Sequence, residues 1–340
     1  MKRINWVLSL VLLLALGLIA CGGSTPTTVP TTAPTTAAVA TVPPNTPFSV
    51  SDSTGATVAL AKKAERIACI STDCIEVLAG LGVEPIAISQ ISEFASHPRY
   101  FAAKAKNFTV LKTSGGQPNL EELAQAKPDL TIISNYQVSG IPAIKKISPV
   151  YVLATEKYTL DDTRQNFRNI AKLTGTDTKA EAVIKAFEDK LAMYKAKAPA
   201  KPLSFISRNS VDINAYSMTN KSSLCQLLMG LANCALQAQS GVPDFGGYQQ
   251  ISLEKVLQVD PEAIFMLAYT DIANNPKQDE ARKELQNNPF WKELKAVKNN
   301  KVFEVDVQVW NGAQLNSWGF QLDDLLTKLY PETFPKPLNS

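Results

Sequence analysis

Histidine is almost missing from this chain: His97 is the only one in 340 residues. That shortage removes the usual general base and the commonest zinc ligand. No G-x-S-x-G, H-E-x-x-H, phosphate-loop or dinucleotide glycine pattern occurs either, so the familiar hydrolase, zincin and nucleotide sites have no sequence basis. There is no run rich in Lys and Arg. The formal charge of +3 includes Lys2 and Arg3, and without those two it falls to +1, so nucleic acid is not an expected partner. The five cysteines do not show zinc-site spacing, and a catalytic thiol would want a histidine beyond His97, which reads as a surface or loop residue. Binding is therefore a better expectation than catalysis. A carboxylate-based surface hydrolase remains the alternative from another class, with Glu93 and Asp306 as acids that nothing in the sequence pairs.

What is present begins with residues 1–20, which have the anatomy of a secretory signal: Lys2 and Arg3, then an apolar run from Trp6 to Ile19. The run is too short and too near the start to be a convincing permanent span. Leu18-Ile19-Ala20-Cys21 looks like a bacterial lipobox, with Cys21 as the lipidated first residue of the mature protein. From Cys21 to Pro47 the chain is mainly Thr, Pro and Ala, without charge or apolar period, and reads as a disordered tether. A lipid at one end of a tether implies a globular module held outside the cytoplasm on a membrane.

The folded part is expected to be α/β, two Rossmann-like lobes joined by one long backbone helix. The helix is residues 177–198, DTKAEAVIKAFEDKLAMYKAKA, free of Gly and Pro and stopped by Pro199 and Pro202. Ala180, Val183, Ile184, Phe187, Leu191 and Tyr194 recur at helical spacing, and Asp177 is read as the N-cap. On either side of it lies a repeat. NLEELAQAKPDLTII from Asn119 and SLEKVLQVDPEAIFM from Ser252 align at one offset, matching Leu120 to Leu253, Glu121 to Glu254, Gln125 to Gln258, Pro128 to Pro261 and Asp129 to Glu262. Each copy reads as a capped helix, a proline break and a buried strand. The lobes are accordingly set at residues 48–176 and 199–340.

Several loops follow strands where such folds place ligands, at the carboxyl ends. The strand Arg66 to Ile70 leads to Ser71 and Thr72. Leu130 to Ile133 delivers Tyr136, Leu203 to Ser207 presents Arg208, and a second strand ends near Tyr216. Tyr248 closes a Gly-rich loop, Tyr269 and Thr270 follow the strand Ala263 to Leu267, and Trp310 sits in a loop from Asp306 to Asn316. Four cysteines besides Cys21 permit disulfides in an exported protein. The local pairs 69–74 and 225–234 are the simplest of three connectivities.

The motif order RIACISTDCIEVLAGLGVEPIAIS, GGQPNLEELAQAKPDLTIIS, GYQQISLEKVLQVDPEAIFML, NPFWKELKAVKNNKVFEVD resembles the substrate-binding lipoproteins of ferric-siderophore and cobalamin ABC importers, over about Thr57 to Tyr330. The resemblance implies a rigid pair of lobes crossed by the backbone helix, with a shallow ligand cleft between them. It implies capture of an iron chelate, of ferric-siderophore or ferric-citrate type, and its delivery to an ABC importer. Ser71, Thr72, Tyr136, Arg208, Tyr216, Tyr248, Tyr269 and Trp310 are the candidate cleft residues. Guanidinium and phenol groups suit the oxygens of an often anionic chelate and tryptophan its flat faces. Glu121 and Glu254 match the family's two lobe-surface glutamates and are expected to dock a permease dimer, because a pseudo-symmetric pair of carboxylates suits paired basic pockets. Iron already wrapped in a chelator needs no protein ligand, so neither a resident cofactor nor a protein metal site is expected, and the shortage of His fits that; Met218 is the one distant candidate for soft ligation. A monomer is expected. Cobalamin or haem is the alternative ligand, and a chelate sensor the alternative role.

Overall fold

The computed structural model describes residues 47–89, 91–269 and 276–338. The signal, Cys21 and all but the last residue of the tether lie outside the described residues, as does Thr270. Two sheets carry the fold. The first is five-stranded and wholly parallel, with Thr109–Val110, Ala87–Ile88, Ile67–Cys69, Leu130–Ile133 and Val150–Val152 in spatial order. Its strands are short and apolar because helices cover both faces. In the second, Ser204–Arg208, Ala263–Ala268 and Val302–Asp306 run parallel, while Tyr216–Met218 and Tyr248–Gln250 extend one edge antiparallel. A hairpin opens the described fold, Phe48–Ser51 against Thr57–Leu60.

The long helix runs Asp177–Ala196, with Thr176 rather than Asp177 at the N-cap position. It buries Ala180, Ile184, Phe187, Leu191 and Tyr194, so the apolar stripe read from the sequence is the packed face. That stripe meets Leu160–Thr174 and the closing helix Leu315–Leu329. Asp323 of the closing helix accepts from Tyr194 Oη at 2.7 Å and from Lys190 Nζ at 2.6 Å. A single apolar core passes from one sheet to the other, through Phe167, Phe187, Trp318 and Phe265. The lobes therefore share a core, which opposes large hinge motion.

The repeat survives in three dimensions at the level of hydrogen bonds. Asn119 caps Leu120–Ala126 by accepting the Glu121 and Glu122 N–H groups, and Ser252 caps Leu253–Val259 by accepting that of Lys255. Both helices end on a non-glycine residue in the left-handed region, Lys127 at φ 50° and Asp260 at φ 41°. The matched acids then do the same work. Asp129 accepts from the N–H groups of Glu65 and Arg66 at 3.0 and 2.9 Å, and Glu262 from that of Ser204 at 2.8 Å, each fixing the start of its sheet's central strand. Replacing either acid by Ala is expected to cost about 1–2 kcal/mol by orphaning backbone donors, and the two losses should add because the sites share no partner. Urea denaturation of both single variants and the double variant measures this.

Elsewhere the structure departs from the pattern reading. The apolar segment after Ser222 forms only the short helix Ser223–Leu227, and Cys225 in it is bridged to Cys234. The other bridge, Cys69–Cys74, spans the turn that holds Ser71 and Thr72. Polar Pro276–Asn287 is helical, a segment whose lack of an apolar stripe hides it in the sequence. His97 lies in a loop, as expected, after the helix Ser92–Ser96, but its side chain is 9% exposed and its Nε2 lies 2.9 Å from Asp306 Oδ2.

Candidate ligand-binding site

A cavity of about 500 Å3 opens between the two sheets, within the size range of small-molecule sites. Tyr136 and Tyr158 come to it from the first lobe; Tyr216, Phe245, Tyr248, Trp310 and Trp318 come from the second. The pleat of the antiparallel edge explains the second set. Met218 pairs with Tyr248 across the ladder and Tyr216 lies two residues from Met218, so all three share one sheet face, the face that carries Phe265. Trp310 stacks on Phe265 with ring centroids 5.1 Å apart and donates its indole N–H to Asp324 at 3.2 Å. Phe245 meets Tyr216 edge-on at 5.5 Å and is 61% exposed; Tyr136, at 69%, stands open on the other rim. Exposed aromatics on two facing rims are what a ligand with flat or apolar surfaces would cover.

A second cavity of about 460 Å3 takes in Thr72, Glu93, Tyr269, Gln308 and Asn311, and Asn311 also lines the first. The candidates from the sequence thus divide. Tyr136, Tyr216, Tyr248 and Trp310 surround the first cavity, and Thr72 and Tyr269 belong to the second. Ser71 is a buried helix cap whose Oγ accepts the Cys74 N–H at 3.3 Å, and it lines neither.

Arg208 is a correction. It is the last residue of the strand Ser204–Arg208 rather than the first of the loop, which puts it on the same face as Ile206 and opposite the face of Phe205. It is 0% exposed and donates from Nη2 to the carbonyls of Asp212 and Ile213 at 2.8 and 3.1 Å. Its Nε and Nη1 have no hydrogen-bond partner, and burial lowers its pKa to about 10. The guanidinium lines neither cavity, so it is not placed to meet a ligand in them. The wider error was one residue of strand length: Asn209, placed in the sequence beside it, lines the first cavity instead.

The loop that forms the back wall, Asn311 to Ala313, is held from the other lobe by buried acids the sequence reading passed over. Glu76, 0% exposed, accepts the N–H groups of Ala313 and Gln314 at 3.2 Å each and the hydroxyl of Ser317. Asp73 accepts from Gln314 Nε2 at 3.2 Å and from Tyr158 Oη at 3.3 Å. Burial, reinforced by the neighbouring Asp73, pushes Glu76 up to about 8, and burial also raises Asp73. A Cβ on Gly312 would stand 2.8 Å from Glu76 Oε1, so only glycine lets the loop approach the acid this closely. Two acids three residues apart on the otherwise apolar TDCIEVLAGL helix were the available signal. Among the described residues no cluster of three or more His, Cys, Asp or Glu is arranged to hold a metal ion.

Residues 67–309 match the family model described as periplasmic binding protein. The chain belongs to that family. Among curated relatives it is 25% identical to the Fe(3+)-citrate-binding protein YfmC of Bacillus subtilis, over 78% of this chain and 81% of the relative. It is 27% identical to the iron(3+)-hydroxamate-binding protein FhuD of the same organism, over 56% of this chain and 60% of that one. Among solved structures, Staphylococcus aureus SirA complexed with staphyloferrin B superposes with a TM-score of 0.64 at 23% identity, covering 83% of this chain and 98% of SirA. That likeness shows the fold: two α/β lobes with the cleft between them.

Proposed function

We propose that this member of the periplasmic binding protein family captures an iron chelate in the inter-lobe cleft and hands it to an ABC importer. The observation that carries the reading is the aromatic cavity between two lobes that share a core, in a chain whose relatives include binders of ferric citrate and ferric hydroxamate. An aromatic and carboxamide wall suits a ligand whose metal is already fully coordinated, because such a ligand asks for surface contact and hydrogen bonds rather than protein ligands. The lobes are taken as residues 48–176 and 199–340 about the 177–198 helix.

Relatives are named as substrate-binding lipoproteins of ABC transporters, which supports an extracytoplasmic place for this chain. A signal over residues 1–20, lipidation at Cys21 and a tether to Pro47 complete the proposed anchor. Among the described residues no helix is long and apolar enough to cross a membrane. Glu121 and Glu254, both exposed, are proposed to dock the two halves of a permease dimer, with the binding protein acting as a monomer.

Calorimetric titration of the purified protein with ferric chelates, with the same chelators free of iron, and with cobalamin and haem tests the reading. Saturable binding of a ferric complex, at least about tenfold tighter than its iron-free chelator, is expected, since each 1.4 kcal/mol of added contact is worth that factor. Binding of cobalamin or haem alone would overturn the choice of ligand.

A further inference from the structure

The charge around the cleft carries the assignment further. Among the described residues, the wall of the first cavity contains no Asp, Glu, Lys, Arg or His, and the second cavity contributes one charged side chain, that of Glu93. The undescribed internal positions, Gln90 and residues 270–275, hold no basic residue in their sequence. Directly behind the first cavity's wall stand carboxyl groups. Tyr158 is bonded to Asp73, Ala313 to Glu76 and Trp310 to Asp324. The nearest guanidinium in the strands that build the wall, Arg208, lies on the opposite sheet face with its bonds directed to Asp212 and Ile213.

We infer that the cleft selects ferric chelates of zero or positive net charge, of the trihydroxamate kind, over polyanionic catecholate and citrate complexes. This rests on the chelate-binding reading above and narrows its ligand class. Three hydroxamates each bring a single negative charge and together neutralise ferric iron, whereas three catecholates bring two each and leave a trianion. A polyanion entering this cleft exchanges water for a wall with no countercharge, and the lysines beside its rim, Lys157 and Lys221, are exposed and screened by water, so they offset little of that desolvation. Behind the wall, ionised carboxylates would repel it, and protonated ones would leave the wall merely neutral; neither form attracts it. A neutral complex loses little hydration. Its aliphatic arms can pack on Tyr136, Tyr216 and Phe245, and its outward oxygens can accept from phenol and carboxamide donors. A pendant ammonium would be tolerated by the aromatic faces.

The test follows tryptophan fluorescence, since Trp310 and Trp318 line the cavity, while the protein is titrated with three probes: ferrioxamine B, ferric enterobactin and ferric citrate. The expected result is ferrioxamine B binding roughly 100-fold tighter than either anionic complex, the discrimination expected when a polyanion is buried against a wall without a countercharge. Asn209→Arg, which places a cation at an exposed point of the wall, should narrow that gap about tenfold by attracting the anionic probes. Equal or tighter binding of enterobactin or citrate complexes would overturn the inference while leaving the chelate-binding reading intact. A gap unchanged in Asn209→Arg would overturn its electrostatic origin. If none of the three bound, calorimetry against the wider chelate panel would decide: an anionic complex that bound there would overturn the inference alone, and silence throughout would remove both readings.

Discussion

Glu121→Ala combined with Glu254→Ala is expected to abolish uptake of the chelate through the proposed permease contact and to leave its affinity within about twofold, less than half of one tenfold step in binding free energy. The expectation follows from where the two carboxylates stand. Each opens the first turn of a short helix that the repeat places at matching points of the two lobes, each is exposed, and neither lines a cavity. Helix capping does not need them. Asn119 and Ser252 already supply the caps, and the neighbouring Glu122 is the residue with a structural task, accepting from the Lys112 N–H at 2.7 Å. Glu254 is held ionised, its pKa lowered by its own backbone N–H and by Ser252, which suits a docking charge. Iron-55 uptake into vesicles carrying the importer, beside calorimetry on the same variants, separates the outcomes. Single variants should lose part of the uptake, and Glu122→Ala should lose stability without losing docking. Loss of chelate affinity in the double variant would show that the pair serves the cleft and not the permease.

The second large effect is on stability. Glu76→Ala removes the acceptor of two backbone N–H groups and a hydroxyl at the junction of the lobes, and it opens a void in a fully buried site. The expected cost is about 2–4 kcal/mol, from unpaired donors together with lost packing. For a fold of this size that is a fall of about 3–7 °C in Tm. Glu76→Gln should cost less, about 1–2 kcal/mol, because the carboxamide fills the site but keeps one acceptor oxygen where the acid uses two, leaving one of the Ala313 and Gln314 N–H groups without its partner.

The pH dependence of stability separates the two forms of Glu76. Its pKa is raised from 4.5 unfolded to about 8 folded, so between those values the folded state binds more protons than the unfolded one. Stability from this group is complete below the unfolded value and is lost as pH rises through the folded one. Asp73, also raised, contributes with the same sign. The wild type should therefore lose stability from pH 5 to 8 at this site, and Glu76→Gln should flatten that slope. Urea midpoints across the range measure it, and a slope unchanged by Gln would show that Glu76 is ionised throughout.

The parts of the fold that were legible have strong local causes. The stripe from Ala180 to Tyr194 has helical period and nothing to break it, and it became the packed face of the long helix. The two LE-type repeats carry their own caps and apolar strands, and they recur as helix and strand in both lobes. In the cleft, Tyr136 was readable because it follows the carboxyl end of Leu130–Ile133, whereas Tyr216, expected near the end of a strand, and Tyr248 each begin one, Tyr216–Met218 and Tyr248–Gln250. Arg208 was misread because the strand runs one residue further than its apolar run suggests, and one residue reverses the face. Phe245 and Trp318 reach the cavity from the loop before Tyr248 and from the closing helix, and Asn311 follows the short helix Val307–Trp310, which the sequence reads as loop. Glu76 and His97 find partners more than two hundred residues away in the chain. Such pairings are set by how the lobes meet, which local sequence does not encode.

The aromatic cavity between the lobes is where we propose that an iron chelate binds. The most direct test is tryptophan-fluorescence titration of the wild type and of Tyr216→Ala combined with Tyr248→Ala, using whichever ferric chelate calorimetry finds tightest. Saturable quenching is expected in the wild type and affinity reduced about 100-fold in the variant, from the loss of two aromatic contacts, with the far-ultraviolet circular dichroism unchanged. Full affinity in a folded variant that lacks both tyrosines would place the ligand elsewhere and contradict the account.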